Sequence, residues 1–178
     1  MMSSNIFILS APIQTGKTTA LMEFWETGIT SFDGFITPDI DESRKLIFLD
    51  TDEELPFQLE DNAKEDVLQI GRFKLCQSTF NAVKNKLKNL HNTSAQLIII
   101  DEIGPLEMNN YGFEPELSAF IENFKVMNSS KLLIIVIRNT ILNAAIEKYK
   151  LEDAAVLSLN SFIDKFLIYL IIFAILVP

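Results

Sequence analysis

The chain has 178 residues, enough for one domain with a sizeable core and too few for two comfortable ones. Hydrophobic residues make up 48%, phenylalanine alone counts 14, and the formal net charge is −9 with a pI of about 4.6. Such an acidic chain lacks the clustered lysine and arginine that neutralise a phosphate backbone, which excludes nucleic acid as the expected partner while leaving a single nucleotide open.

The first apolar run, Ile6–Leu9, is too short and lacks the positive flank of a signal peptide, and reads as a buried strand. The lone Cys76 permits no intramolecular disulfide and fits a reducing, cytoplasmic setting. From Lys17 to Trp25 the residues Leu21, Met22 and Trp25 recur at helical spacing, and Gly28 is placed to end that helix. "FDGFITPDI" and "RKLIFLD" are strand-like and "DIDES" between them is a polar turn, which predicts a hairpin. Residues 51–66 are acidic and weakly patterned and are expected to form a surface excursion. "VLQIGRFKL" predicts a strand pair about Gly71.

Next comes a helix with Phe80, Val83, Leu87 and Leu90 on one face and Ser78 or Thr79 as its cap. Ala95–Asp101 is a second buried strand, followed by a helix from Glu114 to Phe124. A strand over Lys131–Ile137, a helix over "ILNAAIEKY" and a last strand over "AAVLSL" complete the pattern. Apolar runs alternating with amphipathic helices predict an α/β fold, a mostly parallel sheet with helices on both faces, interrupted early by the antiparallel hairpin.

Two short motifs carry the chemistry. In "SAPIQTGKTT" a strand, a tight loop and a helix follow in the order of a phosphate-binding loop. Ala11, Pro12, Ile13, Gln14, Thr15, Gly16, Lys17, Thr18 and Thr19 are the candidates for nucleotide binding, with the loop's backbone N–H groups converging on phosphate oxygens. Lys17 would reach the β- and γ-phosphates, and Thr18 would offer its hydroxyl to Mg²⁺. In "LIIIDEIG" a buried strand ends with Asp101, the carboxylate type that orders Mg²⁺ in such sites, so Thr18 and Asp101 form the expected metal pair. Glu102 beside it is suited to take a proton from an attacking water, which favours hydrolysis over transfer to a second substrate. Two motifs in the right order outweigh the plainer reading of a helix start and a polar strand end.

Together, "TGKTT", "GFITPDI", "RKLIFLD", "IGRFKL" with the following "STF", and "LIIIDEIGPLE" resemble the small THEP-type nucleoside triphosphatases, over about Ile6 to Leu159. The resemblance implies a single-domain P-loop NTPase with a RecA/ASCE-like sheet and Mg²⁺-dependent hydrolysis of nucleoside triphosphates to diphosphate and phosphate. Gly16, Lys17, Thr18 and Thr19 match that family's phosphate loop, Asp101 and Glu102 its acidic pair, and Gly104 and Glu107 the turn after it. Ala11 departs from the loop's leading glycine. Its methyl is harmless at negative φ and costs on the order of 1 kcal/mol at positive φ.

Arg138, at the end of the "KLLIIVI" strand, is the candidate for stabilising charge on the transferring phosphoryl group, against a plain solvated strand cap. Arg44 and Arg72 have weaker claims. His91 reads as a solvated helix end, Trp25 as helix packing, and Cys76 as structural. Two other functions share these motifs: a nucleotide-binding module with little catalysis, and a small P-loop kinase.

The domain is expected to span residues 1–160, with 161–178 as an apolar C-terminal segment. Phe166–Val177 is twelve apolar residues, about 18 Å as a helix and short of the ~30 Å hydrocarbon core of a bilayer. Starting at Ser161, with Lys165 snorkelling, brings it to about 25 Å. Burial against the domain is the favoured reading, ahead of self-association into a homo-oligomer and of a marginal membrane anchor.

Overall fold

The computed structural model describes residues 5–64, 66–127 and 130–166. Strand β1 (Ile6–Leu9) leads through a tight loop into helix α1 (Lys17–Glu26). Strands β2 (Phe32–Ile36), β3 (Asp39–Ile40), β4 (Ser43–Phe48) and β5 (Glu54–Pro56) follow, then the hairpin β6 (Val67–Ile70) and β7 (Phe73–Cys76). Helix α2 (Gln77–Asn89), strand β8 (Leu97–Ile103), the single turn α3 (Pro105–Met108) and helix α4 (Glu116–Val126) come next. Strand β9 (Leu132–Ile137), helix α5 (Leu142–Tyr149), strand β10 (Ala155–Leu157), a short turn α6 (Leu159–Ser161) and a π-helical turn over Phe162–Phe166 close the order among the described residues.

The main sheet runs β10-β1-β9-β8-β2-β4-β3, with β5 paired to β4. The five strands from β10 to β2 are mutually parallel, and β4 is antiparallel to β2. Strand β9 therefore lies between β1 and β8, so the two motif-bearing strands are separated by one strand. This is the mostly parallel α/β sheet expected from the alternation of apolar runs and helices, in the RecA/ASCE-like form that the resemblance implied.

Because both faces of a parallel sheet are covered, its strands are apolar on both sides. In β8 Ile98 and Ile100 face the layer of α2, α4 and α5, whereas Leu97 and Ile99 face α1. Leu133 and Ile135 in β9 follow the first pattern, and Ile134 and Val136 the second. Phe35, Phe80 and Phe113 are fully buried and meet edge-on or tilted, with ring centroids 5.1–5.2 Å apart. Phe162 is also buried and packs edge-on against Phe24 of α1.

Three expectations need correction. "FDGFITPDI" is two strands, because Pro38 supplies no N–H for a ladder and β2 stops at Ile36. The stretch 51–66 contains β5, and Phe57 just after it packs on Phe80 with centroids 5.2 Å apart, so it is a covering element as well as surface. The cap of α2 comes from Asp66, whose carboxylate accepts the Ser78 amide at 2.9 Å and the Ser78 hydroxyl at 2.6 Å. The expectations for the tail beyond residue 166 fall outside the described residues. Among the described residues no helix is long and apolar enough to cross a membrane.

Gly34 holds the centre of β2 at φ 94°, and a Cβ there would overlap the Ile99 carbonyl of β8, its partner in the parallel register. Gly34→Ala combines that clash with left-handed strain. It is expected to cost about 3 kcal/mol or more, read as a lowered midpoint in urea or thermal unfolding; a midpoint within error of the parent contradicts this packing.

Candidate nucleotide-binding and active site

The loop after β1 enters α1 through Gly16, which sits at φ 93°, ψ 18°, a conformation only glycine adopts without strain. The space in front of its Cα is open. No side chain caps α1 and its first turn holds no acidic residue, so the amides at this helix start and the positive end of its dipole face the cleft. The positive φ values in the loop belong to Gln14 (59°) and Gly16, not to Ala11. The methyl of Ala11 therefore sits at a position that does not require glycine.

Lys17 is buried, and its ammonium donates to the carbonyls of Ala11 at 3.0 Å and Pro12 at 2.9 Å. The loop is braced by Thr15, whose hydroxyl donates to the Pro12 carbonyl at 2.8 Å. Ile13 through Thr19 line the cleft, while Ala11 and Pro12 serve it through the carbonyls that hold Lys17.

Across the intervening β9, the Thr18 hydroxyl donates to Asp101 Oδ2 at 2.8 Å. The Thr37 amide donates to the same oxygen at 3.1 Å. Asp101 is 1% exposed, and its other oxygen, Oδ1, is buried with no hydrogen-bond partner among the described residues. Burial pushes its carboxyl up to about 6, the Glu102 charge adds to this, and the donors Thr37 and Thr18, with the field of Arg44, act in the lowering sense. Glu102 follows, half-buried, and accepts from Arg138 Nε at 2.6 Å. Arg138 thus lies beside the acidic pair, as its place at the end of β9 predicted.

The cleft these groups surround holds about 620 Å³. Its other walls come from α1 (Met22, Glu23, Glu26) and from the end of β2 and the β3–β4 hairpin (Thr37, Pro38, Asp39, Ile40, Arg44). Sequence reasoning missed Thr37. The signal for it is slight, a polar residue before the proline that ends β2. Arg72 lies elsewhere, over the Phe73 ring, and Trp25 donates to the Leu49 carbonyl at 3.2 Å and is not part of the cleft wall. His91 is exposed and Cys76 is buried against Asp66 and Ser78.

The turn leaving the site is held by a second buried carboxylate. Glu107 accepts the Gly104 amide at 2.9 Å and the Phe113 amide at 3.3 Å. Behind it Glu114 accepts from Tyr149 at 2.6 Å and pairs with Lys148 at 3.3 Å. Among the described residues no group of three or more His, Cys, Asp or Glu side chains is placed to hold a metal alone. Thr18 and Asp101 offer hard oxygen donors, and Oδ1 of Asp101 has lone pairs to spare, which suits a divalent cation that keeps waters and substrate oxygens as its other ligands.

A family model described as NTPase matches residues 6–162. THEP1 from the hyperthermophile Aquifex aeolicus, known from a crystal structure, superposes with a TM-score of 0.67 at 17% identity, covering 93% of this chain and 96% of that one. A human cancer-related nucleoside triphosphatase, solved in solution, gives 0.64 at 19% identity, covering 97% of this chain and 98% of that one. At these identities the two structures speak to the fold. No curated protein matches the chain in sequence.

Burial raises the Glu107 carboxyl from its usual 4.5 to about 7, against the lowering effect of its amide donors. The folded chain then keeps a proton that the unfolded chain releases between pH 4.5 and 7, so stability falls as pH rises through that window. In urea unfolding from pH 4.5 to 8, Glu107→Gln is expected to flatten the decline by up to about one proton per molecule. A slope equal to the parent's rules out Glu107 as its source.

Proposed function

The chain belongs to the NTPase family, and from that premise we propose that it hydrolyses nucleoside triphosphates in a Mg²⁺-dependent reaction at the cleft between the loop after β1 and the end of β8. The observation that carries this reading is the 2.8 Å bond from Thr18 to Asp101, which joins the phosphate loop to the acidic strand end within one cleft. Bound with Thr18 and Asp101, Mg²⁺ would supply positive charge to phosphate oxygens.

The rest falls to the chain's own residues. The free amides at the start of α1 bind phosphate oxygens, and Lys17 exchanges the Ala11 and Pro12 carbonyls for them. Glu102 accepts the proton of an attacking water. The water oxygen bonds to the terminal phosphorus, the bond to the bridging oxygen breaks, and its electron pair leaves with the diphosphate. Arg138 holds the Glu102 carboxylate in place through its 2.6 Å contact, and its charge lies near the phosphoryl group during transfer.

The same contact favours a second reading. A carboxylate oxygen already engaged by a guanidinium is less free to meet a water, which fits a nucleotide-binding module with slow turnover. Phosphate release from the common nucleoside triphosphates, with and without Mg²⁺, separates the two. Glu102→Gln is expected to lower kcat by about 10²-fold or more with nucleotide affinity kept, and Lys17→Ala to lose both. Parental turnover no faster than Lys17→Ala, with measurable affinity, makes the binding module the correct reading.

A further inference from the structure

Three cations line the described cleft: Lys17, Arg138 and Arg44. Lys17 is enclosed by its own loop, and Arg138 is bound to Glu102. Arg44 stands on β4, at the hairpin side of the cleft, and has no role in the reaction described so far. Its backbone is well fixed. The Arg44 carbonyl accepts the amides of Phe57 at 3.0 Å and Gln58 at 2.9 Å, and the neighbouring Lys45 amide bonds the Pro38 carbonyl at 2.9 Å. That last bond ties β4 to the segment whose Thr37 amide holds Asp101.

The side chain is fixed only loosely. Nε meets Asp39 Oδ1 at 3.3 Å, across the strand pair that sets Asp39 opposite Arg44. Asp39 is 69% exposed, so this is a solvated pair of the sort that contributes ~1 kcal/mol or less. Both amino groups of the guanidinium are without hydrogen bonds among the described residues. A planar fork of free donors on a rigid strand, parked on a weak partner at the wall of an anion-binding cleft, is suited to a phosphate.

The charge balance of the cleft points the same way. Glu23, Glu26, Asp39 and Glu102 all line it, and a triphosphate brings about four further negative charges. The β-phosphate has the loop amides and Lys17. Lys17 and Arg138 already have assigned parts, so Arg44 is the cation of the described cleft left to balance the added charge of a terminal phosphate.

We propose that Arg44 exchanges Asp39 for the terminal phosphate of the substrate, so that it favours triphosphate over diphosphate and stabilises the phosphoryl group as it transfers. This rests on the triphosphatase reading of the cleft. The test compares binding of ADP and of a β,γ-imido ATP analogue by calorimetry, and kcat and KM, in the parent, Arg44→Ala, Arg44→Lys and Asp39→Asn.

Arg44→Ala is expected to lose about tenfold or more in affinity for the analogue with ADP binding within twofold, and about 10²-fold or more in kcat. Arg44→Lys recovers part of both, and Asp39→Asn stays at or above the parent. Equal losses for ADP and analogue, unchanged binding and kcat in Arg44→Ala, or an Asp39→Asn defect as deep as that of Arg44→Ala each overturn the proposal. A parent that binds the analogue without turning over any triphosphate overturns the hydrolase reading alone, because the binding comparison still reads Arg44.

Discussion

One buried carboxylate organises this molecule. Asp101 lies near the end of β8, two residues before the strand stops at Ile103, in the interior of a sheet covered on both faces, where an unsatisfied charge is costly. One of its oxygens is met by the hydroxyl of Thr18 and the amide of Thr37. Those two donors come from α1 and from the end of β2, so a single oxygen draws together a helix start and two strands. Removing either donor leaves a buried charge less compensated, so the geometry of the cleft and the stability of the sheet are coupled at this point. The other oxygen of Asp101 has no hydrogen-bond partner among the described residues, and it is the donor that the proposed Mg²⁺ would use.

Much of this was legible in the sequence because the signals are local. "TGKTT" after a β-branched run specifies strand, loop and helix, and "LIIID" specifies a buried strand with a carboxylate at its end. The alternation of apolar runs and amphipathic helices then places both at the same edge of a parallel sheet. What was not legible depends on pairings that no spacing encodes. The cap of α2 is Asp66, from beyond the β6–β7 hairpin, and Ser78 is its recipient rather than the cap. Phe57 lies in a stretch too acidic to suggest a strand, yet the aromatic contacts with Phe80 and Phe113 hold it in place. Thr37 acts mainly through its backbone amide, with its hydroxyl at 3.5 Å from the same oxygen, and a lone threonine before a proline is a slight signal for either.

Ala11 shows where residue type misleads. The absence of the loop's leading glycine looks like a defect when read against the motif. The chain puts its positive φ values at Gln14 and Gly16 instead, and asks of Ala11 only a carbonyl for Lys17. Any residue supplies a carbonyl. The departure therefore bears only on that part of the loop, and the uncapped amides at the start of α1, the proposed phosphate donors, are untouched by it.

An acidic chain that binds a polyanion must concentrate its positive charge locally, and the cleft does this with groups already engaged. Lys17 rests on two carbonyls, Arg138 on Glu102 and Arg44 on Asp39. On the proposed reading, substrate binding is an exchange of partners more than a filling of empty donors. Exchange lowers net affinity, because each existing contact must be given up, but it keeps the cations oriented before substrate arrives, which reduces the ordering cost on binding. The three contacts differ in kind. Neutral carbonyls give up Lys17 without exposing a charge, and a solvated carboxylate gives up Arg44 at little cost, whereas releasing Arg138 frees Glu102. That third contact is the costliest of the three to break, so in the proposed hydrolysis it stays closed while Lys17 and Arg44 change partners.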